Sequence, residues 1–174
     1  VPALTGMPPS PYIDTPSPSR IDASVVESPS IISLDMFNEL NGWAVTDAEI
    51  VRTNDGGITW YDVTPSGMQE TGYSVDTFLM DDHHAWVLRP DLDKFPDSGT
   101  LSRTADGGRS WQEYSVPFSR GDLHFIDKEN GWMLADLGAA TGSNAVSVFQ
   151  TRDGGASWDQ KYTNDPNQEN SSTT

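Results

Sequence analysis

The apolar positions of this chain come in short bursts separated by polar turns, and no stretch holds an apolar period of 3.6 residues. From residue 31 to 163 the bursts fall into three sets of four. In each set two apolar residues precede a polar turn that ends in Gly or Ala and then Trp. These segments are MFNELNGW at 36–43, LMDDHHAW at 79–86 and FIDKENGW at 125–132, and they align without gaps. Short apolar strands follow at Trp43-Ala44-Val45, Trp86-Val87-Leu88 and Trp132-Met133-Leu134. A further strand, over 49–53, 101–104 and 145–151, leads into Asp-Gly-Gly, and a last one starts at Trp60, Trp111 or Trp158. Asn41-Gly42 and Asn130-Gly131 read as hairpin turns in which Asn and Gly take positive φ, with His84-Ala85 the weakest of the three. The pattern predicts an all-β chain of four-stranded antiparallel meanders with almost no helix.

The phrase before each last strand is written three times: RTNDGGITW at 52–60, RTADGGRSW at 103–111 and QTRDGGASW at 150–158. The shared skeleton is Thr53, Asp55, Gly57, Thr59 and Trp60, then Thr104, Asp106, Gly108, Ser110 and Trp111, then Thr151, Asp153, Gly155, Ser157 and Trp158. Its copies are 51 and 47 residues apart, a period that belongs to propellers and solenoids. A repeated four-stranded meander is a propeller blade, which cannot bury both faces without a neighbour. The expected blades are about 31–66, 72–117 and 121–163. All six tryptophans belong to the repeat, and Trp43, Trp86 and Trp132 are the expected filling between blades. Within the phrase, Asp closes an Asx-type turn, the glycines take conformations a Cβ would obstruct, and the hydroxyls satisfy turn amides.

Those fifteen residues match the Asp-box, or BNR, repeat. The chain resembles Asp-box propellers over about 31–162, and the N-G-W and R-T-x-D-G-G-x-[ST]-W wording looks most like the photosystem II stability/assembly factor family and its non-photosynthetic bacterial relatives. The resemblance implies a β-propeller whose Asp-boxes are structural hairpins between the third and fourth strands, at the rim and away from any active site. It implies an assembly or interaction scaffold with no cofactor and no catalytic residue. Three blades are fewer than a propeller's usual minimum of about four, so a fragment or an oligomer is expected, with self-association through open blade edges.

Composition changes the picture at the margins. Residues 1–30 hold most of the twelve prolines and read as a Pro/Ser-rich linker of the kind that tethers an extracellular or bacterial cell-envelope domain. A second reading packs part of that arm on the domain through Tyr12, Ile13, Val25 and Val26. Residues 164–174 read as a disordered polar tail. The start at Val1 points to a processed precursor or a trimmed chain. Twenty-six acidic against ten basic residues give a net charge of −16, which repels nucleic acid and anionic membrane surfaces. No cysteine is present, so neither disulfides nor thiolate metal sites are available, and no apolar run reaches the length of a membrane span.

Candidate chemistry is thin. Arg20-Ile21-Asp22 only faintly echoes the Arg-Ile-Pro segment of sialidases, and Arg52 and Arg103 sit at equivalent repeat positions that blade geometry explains. His83-His84 beside Asp81-Asp82 reads as a turn in preference to a metal site, because adjacent strand residues face opposite ways. The leading expectation is a non-catalytic secreted or cell-surface scaffold that binds a protein partner. The alternative is a fragment of a carbohydrate-active propeller, sialidase-like or glucan-directed, that takes a glycan.

Overall fold

The computed structural model describes residues 21–68, 75–140 and 143–165. Twelve strands make three separate four-stranded antiparallel sheets, each in simple meander order. The first holds β1 (Ile31–Met36), β2 (Gly42–Thr46), β3 (Ile50–Thr53) and β4 (Tyr61–Asp62). The second holds β5 (Asp76–Leu79), β6 (Ala85–Pro90), β7 (Gly99–Thr104) and β8 (Gln112–Val116). The third holds β9 (Gly121–Phe125), β10 (Gly131–Ala140), β11 (Ser143–Thr151) and β12 (Asp159–Thr163). Leu92–Lys94 forms a 3₁₀ turn between β6 and β7.

The all-β meander read from the apolar pattern is therefore what the chain forms. Two boundaries differ. The outer strands β4, β8 and β12 begin one residue after the motif tryptophan, and the β10–β11 hairpin runs past the expected 132–134 and 145–151, with a bulge between Asp136 and Gly138. Gly138 takes a φ of +91° there. Residues 1–20 and 166–174, which carry most of the expected linker and tail, lie outside the described residues. Of the remainder of the arm, Val25 makes an antiparallel bridge to Tyr61. The Val26 amide donates to the Trp60 carbonyl and the Asp62 amide to that of Ser24, so this segment runs along β4.

Alternation along each strand gives every sheet two apolar faces, and neighbouring sheets share them. Trp43 and Ile50 of the first sheet are buried with Val63, Met68, Ala85 and Val87, against Leu79 and Trp111 of the second. Trp86, Leu88 and Leu101 of the second are buried with Leu123, Phe125, Met133 and Phe149 of the third. Trp86 stacks on Phe125 with ring centroids 4.0 Å apart and planes 15° apart. Phe118, in the link from β8 to β9, is fully buried and meets Phe149 and Trp158. Burying a large aromatic contributes several times more than an average contact, so these two junctions hold the sheets together.

The glycines before the first-row tryptophans do something other than the sequence suggests. Neither Gly42 nor Gly131 takes a positive φ. Each opens a strand directly across from a bulky partner, Met36 and Phe125 respectively. A Cβ on Gly131 would lie 2.5 Å from the Phe125 ring, and one on Gly42 would lie 2.8 Å from the Asp35 carbonyl oxygen. The requirement is space for the cross-strand partner.

Candidate functional site

The three Asp-Gly-Gly turns are one structure repeated. In the first, Thr53 Oγ1 donates to Asp55 Oδ1 at 2.8 Å and accepts the Gly57 amide at 2.9 Å, while Asp55 Oδ1 also accepts the Thr59 amide at 2.9 Å. Thr104, Asp106, Gly108 and Ser110 repeat those bonds, and so do Thr151, Asp153, Gly155 and Ser157. Ser110 and Ser157 add hydroxyl bonds of 2.6 Å to the second carboxylate oxygen. The glycine pairs at 56–57, 107–108 and 154–155 all have φ between +73° and +98°, where a Cβ is strained.

Partial burial alone would raise these carboxyls. The hydrogen bonds they accept from the Thr or Ser four residues on, and from the Thr two residues before, outweigh it and hold Asp55, Asp106 and Asp153 below the usual aspartate range. Each acid is thus an ionised acceptor whose bonds close its own turn. The three do not converge on a common pocket: each sits between the third and fourth strands of its own sheet.

The turns also receive the preceding sheet. The Trp86 indole N–H donates to the Gly154 carbonyl at 2.8 Å, and Arg103 Nη1 donates to the Asp153 carbonyl at 3.2 Å. One junction earlier, Arg52 Nη1 lies 3.5 Å from the Gly107 carbonyl oxygen and its guanidinium lies over Trp43. Burial pushes the Arg52 pKa down, with Asp82 opposing the shift. The Trp43 indole N–H donates to the Asp81 carbonyl at 2.9 Å. Trp111 meets Trp43 edge-on and donates to the Val63 carbonyl, so its side chain ties the second sheet back to the first. Trp60 is buried with Ala44 and Val51 under Val26, and Trp158 donates to the Gly155 carbonyl within its own turn.

Trp132 departs from the expected row. Trp43 and Trp86 have no exposed surface, whereas Trp132 is half-buried, because no further sheet lies over its face among the described residues.

A second kind of turn joins the first two strands of each sheet. Asn38, Asp81 and Asp127 each accept the backbone amides two and three residues on, at 2.7 to 2.9 Å. These residues, with no special signal beyond their common place in the alignment, are the turn formers that the Asn-Gly dipeptides appeared to be. Asp81, Asp82 and His83 bring ligand-type atoms within 4.8 Å of one another. Asp81 is engaged by the turn amides and by His84 Nδ1 at 3.0 Å, and Asp82 by His83 Nδ1 at 2.6 Å. That arrangement is a solvated turn whose carboxylates are hydrogen-bonded within it.

At the opposite ends of the strands, Asp76, Arg120, Asp122 and Asp136 line an open acidic cleft. Burial raises the Asp76 pKa, helped by repulsion from Asp122 and Asp136, while the Gly121 amide 2.8 Å away and Arg120 pull it down. Arg120 itself pairs with Asp136 at 2.8 Å. The cleft offers acceptors to a cationic group.

The class this geometry defines is a β-propeller: stacked four-stranded meanders whose Asp-Gly-Gly hairpins bond each blade to the one before. The chain is photosystem II assembly factor-like. It is 23% identical over 124 residues to the photosystem II assembly lipoprotein Ycf48 of Synechococcus sp. (strain CC9902), covering 71% of this chain and 34% of that protein. It superposes on a solved structure, YCF48 bound to D1 peptide, with a TM-score of 0.52 and 18% identity, over 83% of this chain and 46% of that one. The chain therefore spans about a third of its curated relative and under half of the solved propeller. No protein-family model matches.

Proposed function

We propose that this chain is propeller framework for a non-catalytic assembly factor that docks a segment of a partner protein. One observation carries the reading: all three motif carboxylates are taken up by their own turns, so the repeated residues fix shape and leave no charged group free for chemistry. The similar solved propeller holds a D1 peptide, and the similar curated protein is a photosystem II assembly factor, which supports a protein partner for this chain too. That relative is named a lipoprotein, which supports an envelope location with a tether ahead of the first blade. Among the described residues no helix is long and apolar enough to cross a membrane.

Titration calorimetry with the D1 peptide, run beside a panel of chromogenic glycosides, tests the proposal. The expected result is saturable peptide binding that survives Asp106→Asn in folded protein, with no glycoside turnover. Turnover abolished by one acid-to-amide substitution would establish the carbohydrate-active alternative instead.

A further inference from the structure

The first blade carries a short extra strand on its outer edge. Residues 24–26 run antiparallel to β4, with Val25 across from Tyr61. The Val26 amide donates to the Trp60 carbonyl at 2.9 Å, and the Asp62 amide to the Ser24 carbonyl at 2.8 Å. Among the described residues no strand pairs in this way with the outer edge of β8 or β12. Side chains hold the arm as well. Ile21 is 4% exposed, Ala23 packs on the junction of the first two blades, and Val26 lies on Trp60.

The hold is short and it is strained. β4 has two residues where β8 and β12 have five, so the arm gains one bridge and its two backbone bonds. Ser28, where the chain leaves the arm, takes a φ of +54°, a left-handed conformation that a residue with a Cβ disfavours. Beside Ile21 to Ser24 a groove of about 460 Å³ stays open, bordered also by Ser66, Arg109, Ser110 and Trp111. The arm therefore occupies only part of a longer site.

We propose that the β4 edge is a strand-docking site held in cis by residues 21–26, and that an extended segment of a partner protein takes it by displacing them. The arm is the template for that segment. It calls for an apolar, a small and a β-branched residue at the spacing of Ile21, Ala23 and Val26, on a backbone that gives β4 one acceptor and one donor. A segment that also fills the open groove makes contacts the arm does not. Those contacts let it win against a competitor tethered at an effective concentration on the order of millimolar. Release of the arm also frees Ser28 from its left-handed conformation. This site deepens the reading above, of a docked partner segment, and rests on it. A peptide copied from this chain probes it, so failure of the D1 peptide to bind and failure of the site are separate results.

Hydrogen exchange on the whole chain is the first test. The Val26 and Asp62 amides should exchange at least about a hundredfold faster than the Val63 amide, which bonds to Ile50 inside the blade. The second is fluorescence anisotropy with a labelled peptide of residues 21–28. It should bind the wild-type chain weakly. Val26→Asp, with unchanged circular dichroism, should bind it at least about tenfold more tightly, because the tethered copy is weakened. Ser28→Gly should bind it about threefold more weakly, because glycine relieves the strain that opens the arm. The chain has no cysteine, and Val25 and Tyr61 form the close, non-hydrogen-bonded kind of antiparallel pair, so Val25→Cys with Tyr61→Cys can lock the arm in place. Oxidised, this variant should not bind the peptide; reduced, it should. Equal binding by the two redox forms would overturn the proposal. So would Val26 and Asp62 amides as protected as that of Val63, or a peptide that Val26→Asp binds no more tightly than the wild type.

Discussion

The indole N–H of Trp86 reaches the carbonyl oxygen of Gly154 across 2.8 Å, joining the second strand of one blade to the Asp-Gly-Gly turn of the next. The bond is buried and the ring above it is stacked on Phe125, so the two contributions can be separated. Trp86→Phe keeps most of the apolar body, removes the donor and leaves a buried carbonyl without it. The expected loss is about 1 to 3 kcal/mol in urea denaturation, against about 3 to 5 kcal/mol for Trp86→Ala.

The motif acids predict an acid limit on stability. Asp55, Asp106 and Asp153 have folded-state pKa values below the ordinary one, so the unfolded chain binds more protons as pH falls. Their contribution is present above about pH 4, the ordinary aspartate range, and is lost as pH falls through the lower folded-state values. Asp106→Asn should cost about 1 to 2 kcal/mol at neutral pH and flatten the acid limb of a stability–pH curve followed by denaturant midpoint.

The second glycine of each turn is not equally demanding. All take positive φ, but a Cβ on Gly57 would meet only the Trp60 ring, at 3.5 Å. A Cβ on Gly108 would lie 2.6 Å from the Cβ of Val63 in the preceding blade. Gly57→Ala should cost about 1 kcal/mol from backbone strain, and Gly108→Ala at least about 1 kcal/mol more from the clash, measured as thermal or urea midpoints.

Asp76 should behave in the opposite sense to the motif acids. Its folded-state pKa is raised by burial and by Asp122 and Asp136, so its ionisation opposes folding at neutral pH and that penalty fades as pH falls. Asp76→Asn can still accept the Gly121 amide. The expected result is unchanged or greater stability at pH 7, with the advantage gone in acid.

Much of this architecture was legible in the apolar spacing. The Trp-terminated phrase marks the three hairpins between third and fourth strands, and two-residue alternation marks which side chains fill the junctions, as Trp43 and Trp86 show. What stayed hidden depends on who the neighbour is. Trp132 is indistinguishable from Trp86 in sequence, and only the lack of a following sheet among the described residues leaves it half-buried. Gly42 and Gly131 look like turn glycines until the opposite residue is seen to need their space. Asp76 carries no local signal, because its partners Gly121, Asp122 and Asp136 come from another blade.

The central claim is that the repeated residues lock blade onto blade, and the most direct measurement is a double-mutant cycle across the second junction. Trp86→Leu and Phe125→Leu, made singly and together, should show a coupling of about 0.5 to 1.5 kcal/mol in urea unfolding, as a stacked aromatic pair does. Free energies that add to within about 0.3 kcal/mol would contradict the account, because side chains in separate blades would then not be acting on one another.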